Sequence, residues 1–149
     1  MTTVFKPFAT AVILGTLFLS SCKKDKDDNP SCEKTVAGIA NTFKLTKQTA
    51  EISLGGGEQD IALTPCNLSG VYVLKADKTC TYVESGSGCN TTEETGTWDV
   101  VSNKISISVG PLVFSDLDIF GWDCTNLTVG VAQSASGITT TQRFYFVKQ

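Results

Sequence analysis

TGTWDVVSNKISISV, residues 95–109, carries the decisive pattern. Trp98 and Val100 alternate with Thr97 and Asp99, and Ile105, Ile107 and Val109 alternate with Ser106 and Ser108. Successive side chains leave a strand on opposite faces, so period-two alternation of this kind marks a strand with one buried face. Only Ser102-Asn103 separates the two runs, which is the length and chemistry of a tight hairpin turn. The stretch therefore reads as an antiparallel pair with Trp98 and the isoleucines turned inward and the serines turned to water.

The same grammar repeats in both directions. Alternating runs occupy residues 41–52, 71–75, 79–84, 95–101, 104–109, 112–122, 127–131 and 140–147. The connections are mostly short: Ala76-Asp77-Lys78, Gly110-Pro111, Asp123-Cys124-Thr125-Asn126 and Ser134-Ala135-Ser136-Gly137. Two loops are longer, residues 53–69 with Gly55-Gly56-Gly57, Pro65 and Cys66, and the Gly/Ser/Asn-rich stretch around Cys89. Phe43, Leu45, Tyr72, Leu74, Cys80 and Tyr82 fall on the inward phase. Phe114 and Leu117 fall on different phases of one run, which predicts a bulge near Ser115-Asp116 with Asp116 and Asp118 pointing out. Short turns between sequential strands predict an all-β, up-and-down antiparallel barrel of eight strands, closed so that no edge is left unpaired. A two-sheet sandwich would need more long crossovers than the chain has.

Composition excludes several classes of function. The chain has 149 residues, 41% of them hydrophobic, enough for one domain with a core. The net charge is -3, and it becomes -4 once residues 1–21, with Lys6, are set aside. With no basic stripe and Arg143 as its single arginine, the chain offers nothing to neutralise nucleic-acid phosphates. Histidine is absent, which removes the usual general base and the commonest metal ligand. Glu84, Glu93 and Glu94 show no spacing that makes a carboxylate pair, and Asp116 and Asp118 lack the further oxygens a calcium ion needs. Neither an enzyme, a metal site nor a cofactor is expected.

The N-terminus carries an address. Lys6 precedes an apolar segment over residues 9–19, too short to span a bilayer, so residues 1–21 read as an export signal. Leu19-Ser20-Ser21-Cys22 resembles the lipobox of bacterial lipoproteins, which makes Cys22 the expected lipidation site and the membrane a partner through that anchor. The alternating charges of residues 23–28 suit a solvated tether, so residues 22–37 form the tether and residues 38–149 the barrel domain. Lys23 after the cysteine resembles the pattern of outer-membrane sorting, on the periplasmic or the cell-surface face.

Thr42-Phe43-Lys44-Leu45, residues 72–79 and Gly96-Thr97-Trp98-Asp99-Val100 with Lys104-Ile105 resemble the lipocalin-like domains of Bacteroidetes lipoproteins. Asn41 and Phe43 replace that family's opening Gly and Trp, and Lys78 stands where a turn glycine is usual. In a meander of this kind Cys66 and Cys89 share the upper end, which predicts a disulfide between them; the resemblance implies the same pair. Cys32 shares the lower end with both Cys80 and Cys124, and the pairing there stays open. The resemblance implies a barrel that holds a small apolar ligand, with Tyr72, Tyr82, Trp98, Phe114, Phe144 and Phe146 as candidate lining residues. The alternative is a packed, ligand-free barrel that serves as a surface accessory or adhesion module for a protein or glycan, since six large rings can fill a short barrel.

Overall fold

The computed structural model describes residues 32–110 and 112–149; Cys22 and the export-signal reading lie outside the described residues. The elements run α1 (Val36–Ile39), β1 (Thr42–Ile52), β2 (Glu58–Ile61), α2 (Pro65–Ser69), β3 (Val71–Leu74), β4 (Thr79–Glu84), β5 (Thr92–Val101), β6 (Lys104–Val109), β7 (Leu112–Trp122), β8 (Asn126–Ala135) and β9 (Ile138–Lys148). All strands join one antiparallel sheet, and each of β3 to β8 pairs with its successor in the chain. The sheet closes where β9 pairs with β1, from Lys148 opposite Phe43 to Thr140 opposite Ile52. Eight strands make the ring, as the meander pattern implies, and three are longer than their alternation suggests: β5 and β8 have 10 residues each and β9 has 11.

The ninth strand corrects the reading of residues 53–69 as a plain loop. β3 pairs with β1 only at Thr42, Phe43 and Lys44, so the upper part of that edge is left open. β2 fills it, with Glu58 to Ile61 set against Glu51 to Gln48. All four β2 residues are exposed, so nothing in their hydropathy announces a strand. Polar contacts hold it instead. Lys47 pairs with Asp60 at 2.9 Å, and the Glu58 carboxylate accepts hydrogen bonds from the Thr49 and Tyr145 hydroxyls. Arg143 lies on the outer wall with its side chain 22% exposed; it bonds Glu51 at 2.9 Å and covers the Phe120 ring.

Turn chemistry sets the register. Ser102 and Asn103 have φ of 51° and 65°, the paired left-handed geometry that matches strand twist in a two-residue hairpin. The bulge in β7 occurs as its sequence predicts: Ile105 faces Leu117 and Ile107 faces Phe114, so Ser106 meets both Ser115 and Asp116, and its hydroxyl accepts from the Asp116 N–H at 3.0 Å. A second bulge, in β1 between Leu45 and Lys47, shifts the phase of that strand. After it Gln48 lies opposite Phe144 and Ala50 opposite Gln142.

The interior is packed. Phe43, Tyr72, Leu74, Cys80, Tyr82, Trp98, Ile105, Ile107, Leu127, Val129, Phe144 and Phe146 are all buried. The void left among Phe43, Leu74, Leu127, Val129 and their neighbours measures about 10 Å³, at the threshold for a single water. At the lower end α1 seats the fully buried Ile39, and Trp122 packs edge-on against Phe43 at 5.8 Å. Cys32 is bonded to Cys124 there, which settles the pairing and leaves Cys80 a buried free thiol. The Trp98 indole donates to the Lys75 carbonyl at 2.9 Å, tying β5 to the turn below.

Candidate ligand site at the barrel mouth

The upper end stays open because β3 is short. Four residues of β3 bring the wall only as high as Val71, and above it the chain substitutes α2 for strand. That helix is fixed by its own sequence: Thr64 caps it, the Thr64 hydroxyl accepts from the Asn67 N–H at 3.2 Å, Asn67 Oδ1 accepts from the Thr64 N–H at 3.2 Å, and Pro65 opens the first turn. The disulfide between Cys66 and Cys89 ties the helix to the loop before β5, as the shared upper end predicts.

Between α2 and the facing strands lies a cavity of about 260 Å³. Its apolar lining comes from Leu45, Leu63, Tyr72, Leu112, Phe114 and Phe144. Its polar lining is three carboxamides, those of Gln48, Asn67 and Gln142. Phe114 and Phe144 sit 4.8 Å apart, ring to ring, and make its aromatic wall.

Beneath the cavity the Tyr72 ring lies 4.8 Å, centroid to centroid, from that of Tyr82 at a tilt of 35°. Burial, together with that neighbour, pushes the Tyr72 phenol above its ordinary value, and burial does the same for Tyr82. Both therefore stay protonated and serve as donors at neutral pH. Tyr82 is wedged between glycines. A Cβ on Gly70 would fall 2.5 Å from its Cε2, and one on Gly110 2.7 Å from its Cδ1.

The six candidate lining residues all face the interior, at different depths. Tyr72, Phe114 and Phe144 border the mouth cavity; Phe146 lies below it, against the small void; Tyr82 and Trp98 are core. Gln48, Leu63, Asn67, Leu112 and Gln142 join the site without having been singled out. Gln142 was legible, since it shares the phase of Phe144 and Phe146. Among the described residues Cys66, Glu84 and Cys89 form a three-residue group with metal-ligand chemistry, but the disulfide holds both sulfurs.

A model of the lipocalin-like domain family matches residues 39–129. The chain belongs to the lipocalin-like family. No curated protein and no solved structure matches it. The lipocalin-like match ends within β8, and β9 beyond it supplies the two pairings that close the ring. Within this lipocalin-like barrel the room for a guest is at the rim, above Tyr72, and not along the axis.

Proposed function

We propose that this chain is a lipid-anchored envelope protein of the Bacteroidetes lipoprotein type that binds a small molecule at the barrel mouth. The observation that carries the reading is the cavity of about 260 Å³ with an aromatic wall and three convergent carboxamides, the composition of a small-molecule site. Lipocalin-like family membership and the lack of a nucleophile–base arrangement in the lining favour binding over catalysis. Residue 32 and α1 sit at the end opposite the mouth, so an anchor at Cys22 would present the open end away from the outer membrane. That orientation suits capture of a molecule from the periplasm or the cell exterior.

Titration of the full chain with Nile red, a neutral apolar dye, tests the reading. The expected result is a saturable, one-to-one fluorescence rise that is lost in Gln142→Phe, whose ring would fill the cavity. A linear, non-saturating response in the parent chain would overturn it. The second reading, an accessory or adhesion module, is favoured by the packed interior and by an open groove of about 500 Å³ on the outer wall, lined by Thr79, Thr97, Ser106, Ser108 and Ser115. In that case dye would not bind, and Thr97→Lys would abolish attachment to a glycan or protein surface.

A further inference from the structure

The chemistry of the mouth narrows the ligand further, on the assumption that the mouth is the binding site. No Asp, Glu, Lys or Arg lines the cavity. The side-chain amides of Gln48 and Gln142 make no hydrogen bond among the described residues. Asn67 spends its carbonyl oxygen on the Thr64 cap, which leaves its NH₂ as a donor. Gln48 and Gln142 lie diagonally on neighbouring strands, two residue pairs apart and on the same face, because Gln48 faces Phe144 and Ala50 faces Gln142. Together they offer donors and acceptors in one place and no net charge.

From this we infer that the mouth selects an uncharged ligand, one with an apolar ring or short chain and a neutral amide or similarly two-sided polar head. The apolar part lies on Phe114, Phe144 and Leu112, and the head bonds Gln48, Gln142 and Asn67. A carboxylate entering this cavity would lose part of its hydration with no cation in the lining to replace it, and an ammonium would lose part of its own with no anion in the lining. A carboxamide against a carboxamide satisfies both partners, and half-buried carboxamides left unpaired beneath a ligand that cannot bond them are what make such a site discriminate.

The test uses three probes that share one ring and differ in head group: phenylacetamide, phenylacetate and 2-phenylethylammonium. Each is titrated into the full chain at neutral pH and followed by NMR at the side-chain NH₂ resonances of Gln48, Asn67 and Gln142. Phenylacetamide should bind at least tenfold more tightly than either ion and shift those resonances. Gln48→Leu should erase most of that preference, and Gln142→Glu should shift it toward 2-phenylethylammonium. If phenylacetate or the ammonium binds as tightly as the amide, the neutral-ligand inference falls while the mouth remains a binding site. If none of the three binds, the mouth reading falls and the inference with it. Unchanged selectivity in both variants would also overturn the assignment of the head group to the glutamines.

Discussion

Replacing Gly70 by alanine should destabilise the protein, although the backbone there invites the change. Gly70 has φ of -64° and ψ of 133°, a conformation open to any residue. At such a position Gly→Ala stabilises by about 0.4–1 kcal/mol, because the unfolded chain loses freedom. The new methyl, however, would meet Tyr82 at 2.5 Å from Cε2 and 2.7 Å from the hydroxyl. The ring cannot retreat, since Tyr82 is 1% exposed and the Gly110 backbone stands against its other edge. Overpacking of this kind costs about 1–3 kcal/mol, so the clash outweighs the entropy term and the net loss should be ~1–2 kcal/mol. Urea denaturation followed by fluorescence of the two tryptophans would read it. Tyr82→Phe should rescue little, because Cε2 remains, whereas in a Tyr82→Leu background Gly70→Ala should cost much less. A Gly70→Ala chain as stable as the parent with Tyr82 intact would refute the wedge.

Three further outcomes follow from the same contacts. Removing the Cys32–Cys124 bridge, which spans 92 positions, should cost more than removing Cys66–Cys89, which spans 23; chain entropy gives about 4.6 against about 3.5 kcal/mol, and equal or reversed losses for the paired Cys→Ser variants would count against it. Glu58 is held below its ordinary carboxyl value, chiefly by the hydrogen bond from Thr49 and then by that from Tyr145. Its hold on β2 is therefore full above the ordinary value and lost as pH falls through the depressed one, so NMR signals of Gln59 and Ile61 should move together at acid pH and move less in Glu58→Gln. All three tyrosines have raised values, each mainly through burial. Phenolate absorbance should therefore lag behind free tyrosine, and stability should be full below pH ~10 and decline above it, since only the unfolded chain ionises readily there; tyrosinate appearing at its ordinary value in the folded chain would contradict the burial.

Much of the barrel was legible because its signals are local. Ser102-Asn103 carries both turn length and left-handed tolerance, and the phase break between Phe114 and Leu117 requires a bulge that Asp116 makes with φ of 56°. The upper-end cysteines could be paired once the meander was drawn. The mouth was harder to see. The bulge in β1 falls within Thr46-Lys47-Gln48, where no apolar residue reports the phase, so Gln48 reads as outward and is in fact turned in. β2 has no buried face and is held by Lys47 and Thr49 of β1 and by Tyr145, whose contact with Glu58 exists only after β9 has met β1. Lys78 takes the place of the usual turn glycine and adopts its geometry, with φ of 68° and an ion pair to Asp99 at 3.0 Å. In each case tertiary partners, and not local propensity, determine the outcome.

Where a guest sits is the most direct question to put to this molecule. Intermolecular nuclear Overhauser contacts from phenylacetamide to the full chain would answer it. Contacts from the ring to Leu45, Leu63, Leu112 and Phe144 are expected, and none to Leu74, Leu127 or Val129. Contacts to that second set would mean that the packed axis opens and that the site is a deep barrel cavity, contrary to a site at the rim.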